Sequence, residues 1–407
     1  MALIEGHRAI DAPPGVEIWD IDPYDPDVQR SPSAFYAALR AKGPFVYLSR
    51  YGMLACGRYA ETREVFSDHS RFVSSRGVGL QDFQLDSPWR PPSIVLEVDP
   101  PEHGKARRAL MRALSPKAVA EMRDSFQIAA DALLDEVIET PEIEAVSALA
   151  ETFPTTVFPK AMGLLTVDRQ VLIDYGSMVF NALGPDNETR RAAMAHAGDI
   201  VPRIAAQCER ANLAPNGMAM TIYKAADAGD ITEGEAGLLV RSLLSAGVDT
   251  TVTGIGNALW CLSQNPDQFD ALRAEPSLAT NAFEETLRYT SPVSAFCRTA
   301  NADTEVAGVA IPEGAKILCV LGAANLDPGQ WENADRFDIT RKVAGHLALG
   351  AGIHSCVGQN LARAEGQAFL SALARKVARI EPTAEAVWRP NNAMHPLDRL
   401  PLRLIPA

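Results

Sequence analysis

The sequence predicts a mainly α-helical protein with a small β part (α+β), and three observations carry that reading. From about Glu102 to Asn301 apolar residues recur at helical spacing, interrupted only at LGPDNE (183–188), ANLAPNG and DAGD. Strand-like alternation is confined to short pieces nearer the two ends of the chain. Apolar residues make up 47% of the 407, and the 28 glycines and 28 prolines are spread rather than clustered, which gives ample core and no linker. One domain over residues 1–407 is the expectation, fed with strands from both ends.

Taken in order, residues 1–30 are rich in Pro and Asp and are expected to form an extended arm. A helix is predicted from Ser33 to Ala41, with Ser31 and Pro32 as start signals and Gly43-Pro44 as the stop. The alternating PFVYLSRYGMLACG predicts a hairpin near 45–56. Within the helical body the longest run, Glu233 to Ser263, would span about 45 Å as one helix. Two strand-like pieces follow, TEVAGVAIPEGAKILCVL and the C-terminal RLPLRLIP.

Charge and composition narrow the function. A net charge of −13 argues against nucleic acid or an anionic membrane as the main partner. The start of the chain lacks a basic segment followed by an apolar one, and no run of eighteen apolar residues is found. Neither a secretory leader nor a spanning helix is expected. The six cysteines (56, 208, 261, 297, 319, 356) are scattered without a CxxC, as in a protein of the reducing cytoplasm.

The segment HLALGAGIHSCVGQNLARAE (346–365) is the most informative. Gly350, Gly352 and Gly358 crowd around Cys356. Glycines let a backbone pass close to a flat ligand and turn N–H groups toward a thiolate. A helix begins directly after Cys356, so its positive end also favours that anion. On the residues alone, a buried structural cysteine stays open, as does a zinc site using His354 and Cys356, although no second ligand pair lies nearby. The spacing Gly-x-Gly-x-His-x-Cys-x-Gly, followed by LAR-x-E, resembles the haem-ligand signature of the cytochrome P450 superfamily. That resemblance implies the P450 fold, haem b as cofactor and Cys356 as the axial ligand to its iron. Leu349, just before Gly350, stands where the family usually has Phe.

Further segments resemble the same family. In AFEETLRYTSPV, Glu285 and Arg288 share a helix face, which by itself could be an exposed ion pair. The resemblance implies a buried Glu–Arg–Arg network completed by Arg336 of ADRFD. In DPPEHGKARRAL, His103 and Arg107 project from one side of a helix, as they would on any charged surface helix. The resemblance makes them partners of the haem carboxylates, together with Arg298 and His354. In AGVDTT, Gly247 leaves room beside the helix, and Thr250 can bond back to the Ala246 carbonyl, opening the helical ladder. Such Gly–Thr pairs often serve packing alone. The resemblance implies an acid–alcohol pair, Asp249 and Thr250, that supplies protons during oxygen activation.

The segments RGVGLQDFQLDSPWRPPSIVLEVDPPEH, MVFNALGPDNE, LLVRSLLSAGVDTT and TSPVSAFCRTA resemble a bacterial P450 subfamily that oxidises para-substituted benzoates, typically by demethylating 4-methoxybenzoate. By that resemblance Arg90, Ser93, Arg241 and Ser242 frame the carboxylate, while Leu96, Phe180, Leu183, Ala246, Val293 and Phe296 line the ring. The residue types suit an anion at one end and a flat apolar ring at the other. Leu183 stands where an aromatic is more usual, so longer acids such as cinnamates would fit. Other readings stay open: a monooxygenase of other small aromatic acids, a peroxide-using or lipid-rearranging haem enzyme, and a non-catalytic haem sensor. No flavin-binding segment follows residue 365, so the resemblance implies electrons from a separate iron–sulfur ferredoxin and its reductase. Lys105, Arg107, Arg108 and Arg112, with Arg363, would form a basic patch for it.

Overall fold

The computed structural model describes residues 6–166 and 168–407. Helices make up the body, as the periodicity requires. Their starts follow from local chemistry. Thr232 and Glu235 form a reciprocal capping box ahead of Glu233–Ala246, and Asp168 caps Arg169–Asn181 by accepting from two backbone N–H groups. The helix expected at 33–41 runs Ser33–Lys42 and stops at Gly43.

The β part is a six-stranded sheet in the order Glu17–Trp19, Val46–Leu48, Met53–Cys56, Lys316–Val320, Ala295–Ala300, Phe72–Val73, with a separate three-stranded sheet of Val377–Pro382, Pro401–Pro406 and Ile143–Glu144. The hairpin expected near 45–56 is present, pairing Val46–Leu48 with Met53–Cys56. Both ends of the chain reach β structure, but in different sheets.

Three expectations need correction. The arm is not wholly extended: its described part contains the strand Glu17–Trp19 and the short helix Pro26–Arg30, while residues 1–5 lie outside the described residues. The helical body ends at Thr290, and Ala295–Ala300 is a strand paired antiparallel with Lys316–Val320. The long helix is two, Glu233–Ala246 and Asp249–Gln264, joined at Gly247 and Val248.

By length and composition the run Glu233–Gln264 could cross a membrane, but here it runs through the protein core. Leu239, Val240, Leu244, Ile255 and Leu259 on it are wholly buried. They belong to one apolar cluster that also takes in Phe283 and Leu287 of helix Ala279–Thr290 and Leu361 and Phe369 of helix Gln359–Lys376. The cavity described next lies between these helices and strand Ala295–Ala300 of the large sheet.

Candidate active site

The loop that carries Cys356 is built by its neighbours. Gly350 and Gly352 have φ of 72° and 69°, and a side chain at Gly352 would meet the Ser67 backbone. Only glycine meets both demands at 352. The Cys356 N–H donates to the Leu349 carbonyl at 2.8 Å, so Leu349 takes part through its backbone while its side chain lines the cavity. Burial pushes the Cys356 thiol up, opposed by the Gly358 N–H and by the charge of Arg107. Arg107 donates to the Ser355 carbonyl at 2.6 Å and so faces this loop rather than solvent.

Beside the loop stand basic groups with spare hydrogen-bonding capacity. The His103 and His354 rings meet edge to face at 4.5 Å. His103 Nε2 and both ring nitrogens of His354 are buried without a hydrogen-bond partner among the described residues. Asp99 Oδ1 lies 3.6 Å from His354 Nε2, too far for a hydrogen bond, and is occupied by the Ser74 N–H. Burial, then the charges of His354 and Arg107, lower His103 to about 4. Arg298 is 1% exposed, lies 4.1 Å over the Phe66 ring, and donates only to its neighbour's carbonyl.

On the opposite wall the helix break exposes its chemistry. Thr250 Oγ1 donates to the Ala246 carbonyl at 2.7 Å, the back-bond expected from the sequence. Gly247 lines the cavity, and a side chain there would also run into the Phe158 ring. Asp249 does not line the cavity. It is 1% exposed, packs against Gly176, and neither carboxylate oxygen has a partner. Burial raises it to about 6.

The Glu–Arg network is present with one member exchanged. Arg288 donates to both oxygens of Glu285 at 2.7 and 2.8 Å, and both side chains are wholly buried. The second arginine is Arg341, whose Nε donates to Glu285 Oε1 at 3.2 Å, not Arg336. Arg336 is exposed and contributes only its carbonyl, which accepts from Arg288 and Arg341. A turn after Arg336 brings Arg341 back, and sequence spacing could not choose between two arginines five apart.

Of the residues assigned to substrate, Arg90, Ser93, Leu96, Phe180, Leu183, Ser242, Ala246, Val293 and Phe296 line the same cavity as Cys356 and Thr250. Ser93 Oγ and Ser242 Oγ are 3.1 Å apart. Arg241 does not reach the cavity wall. Its guanidinium donates to the Pro91 carbonyl at 2.8 Å and fixes the loop that carries Arg90 and Ser93. Glu97, which sequence reasoning missed, accepts from Arg90 and from the Ser93 N–H. The basic patch is largely offset: Lys105 pairs with Glu235, Arg112 with Asp230, Arg363 with Glu284, and Arg107 is turned inward. Arg108 stays exposed on that helix.

The family model for cytochrome P450 matches residues 161–377. The chain belongs to the cytochrome P450 family. It is 49% identical over 394 residues to cytochrome P450 CYP199A2 of Rhodopseudomonas palustris, covering 97% of this chain and 96% of that one. The vitamin D(3) 25-hydroxylase of Pseudonocardia autotrophica is 30% identical, with 93% and 94% covered. Among solved structures, P450 CYP109Q5 from Chondromyces apiculatus superposes with a TM-score of 0.79 at 30% identity, covering 95% and 99%. A P450 monooxygenase works with haem. The residues present fit one, because the orphaned nitrogens of His103 and His354 beside the Arg298 guanidinium are the donors that two buried carboxylates require.

Proposed function

We propose that this P450 is a cytoplasmic, ferredoxin-dependent monooxygenase of para-substituted benzoic acids, converting 4-methoxybenzoate to 4-hydroxybenzoate and formaldehyde. One observation carries the reading. Ser242, Ala246 and Thr250 follow one another at four-residue spacing along one wall of the cavity that also holds Cys356. Ser242 and Ala246, four apart, share a face of helix Glu233–Ala246, and Thr250, at the start of helix Asp249–Gln264, is tied to that face by its bond to the Ala246 carbonyl. An acid held at the Ser93–Ser242 end, near Arg90, lies along Ala246 with its para group toward Thr250.

Haem b, ligated through Cys356, would supply the iron at which dioxygen is reduced and split. The chain's own groups do the rest. His103, Arg298 and His354 would hold the haem carboxylates, and Arg107 braces the Cys356 loop through Ser355. The Thr250 hydroxyl hydrogen is engaged by the Ala246 carbonyl, so its lone pairs are left to receive a hydrogen bond in the cavity. Asp249, raised to about 6, keeps a proton within reach of neutral pH and passes it toward that alcohol. Leu96, Phe180, Val293 and Phe296 exclude water from the ring. Electrons come from a separate iron–sulfur ferredoxin.

The test is titration of the haem-loaded protein with 4-methoxybenzoate, followed by product analysis. A high-spin shift with 4-hydroxybenzoate and formaldehyde as products is expected. Ring hydroxylation beside an intact methoxy group would refute the pose. Cys356→Ser should abolish the thiolate-type absorption of the reduced, CO-bound protein.

A further inference from the structure

Behind the polar end of the cavity the guanidinium groups of Arg90, which lines it, and Arg241, which does not, converge on one acceptor. Arg90 Nη1 donates to the Pro91 carbonyl at 3.0 Å, and Arg241 Nη2 donates to the same oxygen at 2.8 Å. Like charges this close repel unless an anion joins them. Glu97 supplies an anion: it bonds Arg90, and its charge acts on Arg241 through space. Its Oε2 accepts from Arg90 Nη1 at 3.1 Å and from the Ser93 N–H at 2.7 Å. The Glu97 side chain is 2% exposed and that of Arg90 11%. The other titratable groups beside Arg241 are Tyr175 and Cys208. Burial raises both, Cys208 to about 12, so neither carries charge. Two cations and one carboxylate leave a single positive charge.

The serines cannot replace that charge. Ser242 Oγ already donates to the Leu238 carbonyl at 3.0 Å and lies 3.1 Å from Ser93 Oγ, which accepts the Leu96 N–H at 3.3 Å. A ligand reaching these hydroxyls exchanges one neutral hydrogen bond for another, which an amide does as well as an acid. Arg90 keeps spare capacity, since its Nε is buried without a partner.

We propose that Glu97 is a specificity-determining residue of this site: as built-in counter-ion to Arg90 and Arg241 it leaves one positive charge in excess, matching the cavity to a monocarboxylate over its amide and over a dicarboxylate. The proposal rests on the aromatic-acid reading of the cavity. Glu97 limits affinity for the acid while keeping the two arginines together.

Haem-loaded wild type and Glu97→Gln are titrated with 4-methoxybenzoate and 4-methoxybenzamide, read by haem absorption. Gln keeps an acceptor for the Ser93 N–H while removing the charge. The acid should bind about tenfold more tightly to the variant, about 1.4 kcal/mol, with the amide changed less than about twofold. An unchanged or reversed acid-to-amide ratio overturns the role of Glu97. If the variant takes up no haem, wild type alone decides. There 4-methoxyphthalate should bind at least about tenfold more weakly than 4-methoxy-2-nitrobenzoate, whose nitro group replaces the second carboxylate without its charge. Equal affinities overturn the proposal. A wild type that responds to none of these acids refutes the aromatic-acid reading, and this proposal with it.

Discussion

Arg288 and Asp249 are both shut off from water, at 0% and 1% exposure, yet their surroundings are opposite. Arg288 donates to both oxygens of Glu285 and to the carbonyls of Asn325, Ala334 and Arg336, so its donors are answered. Asp249 has two oxygens and no partner for either among the described residues. The same contrast runs through the molecule. Glu284 is held by His346 and Arg363 well below the usual carboxylate range, to about 2, whereas His354 on the cavity side has both nitrogens unanswered. A buried charge whose partners are complete holds backbone together. One left incomplete stores free energy that a ligand or a proton can release.

The contrast can be broken at either end. Removing Arg288 has the largest expected effect, because Glu285 would stay buried with only Arg341 and the Asp338 N–H as donors among the described residues, and three carbonyls would lose donors. Arg288→Ala should cost about 3–5 kcal/mol in urea unfolding and lower haem uptake. A loss under about 1 kcal/mol would mean the network is not what holds this region.

Asp249→Asn should do the reverse and stabilise the protein. A folded value of about 6 lies above the ordinary 3.8, so the folded state binds the extra proton between those two pH values. Above about pH 6 the wild type carries a buried charge, and the neutral amide should be more stable by about 3 kcal/mol. That advantage should shrink as pH falls through 6 and vanish below about 4. Unfolding curves at pH 8, 5 and 4 measure it, and a pH-independent difference would refute the cause. Turnover should fall in the same variant, as the proposed role of Asp249 as proton donor requires.

Smaller effects separate the two arginines of the network. Arg341→Ala should cost about 1–2 kcal/mol, because it removes a donor to Glu285 and donors to three backbone carbonyls. Arg336→Ala should stay within about 0.5 kcal/mol, as its side chain makes no hydrogen bond or ion pair among the described residues. Equal losses would return Arg336 to the network.

Much of this was readable in the sequence because it follows from local pattern. Spacing pointed to the Glu285–Arg288 face and the Thr250 back-bond, and the resemblance of a short motif to a family signature pointed to the Cys356 loop. What escaped depends on where distant segments return. The side chain of Arg241 turns away from the cavity because the Pro91 carbonyl lies behind it, and no helix periodicity could show that. Glu97 was hidden for the same reason, since its partners are set by a loop fold rather than a repeat. The strand Ala295–Ala300 follows helix Ala279–Thr290 so directly that its alternation is short and was absorbed into the helical pattern.

Asn325 is wholly buried and joins three parts of the chain. It donates to Ser291 Oγ at 2.8 Å, accepts the Leu347 N–H at 2.6 Å, and offers its carbonyl to Arg288 at 2.9 Å. The segment leading into the Cys356 loop is thereby anchored by protein contacts alone. The entropy lost in ordering it belongs to folding and not to cofactor capture, so haem meets a preorganised cradle and more of its contact energy becomes affinity. Loosening Asn325 would therefore show first as faster loss of haem to a competing acceptor, before any change in how the enzyme handles its substrate.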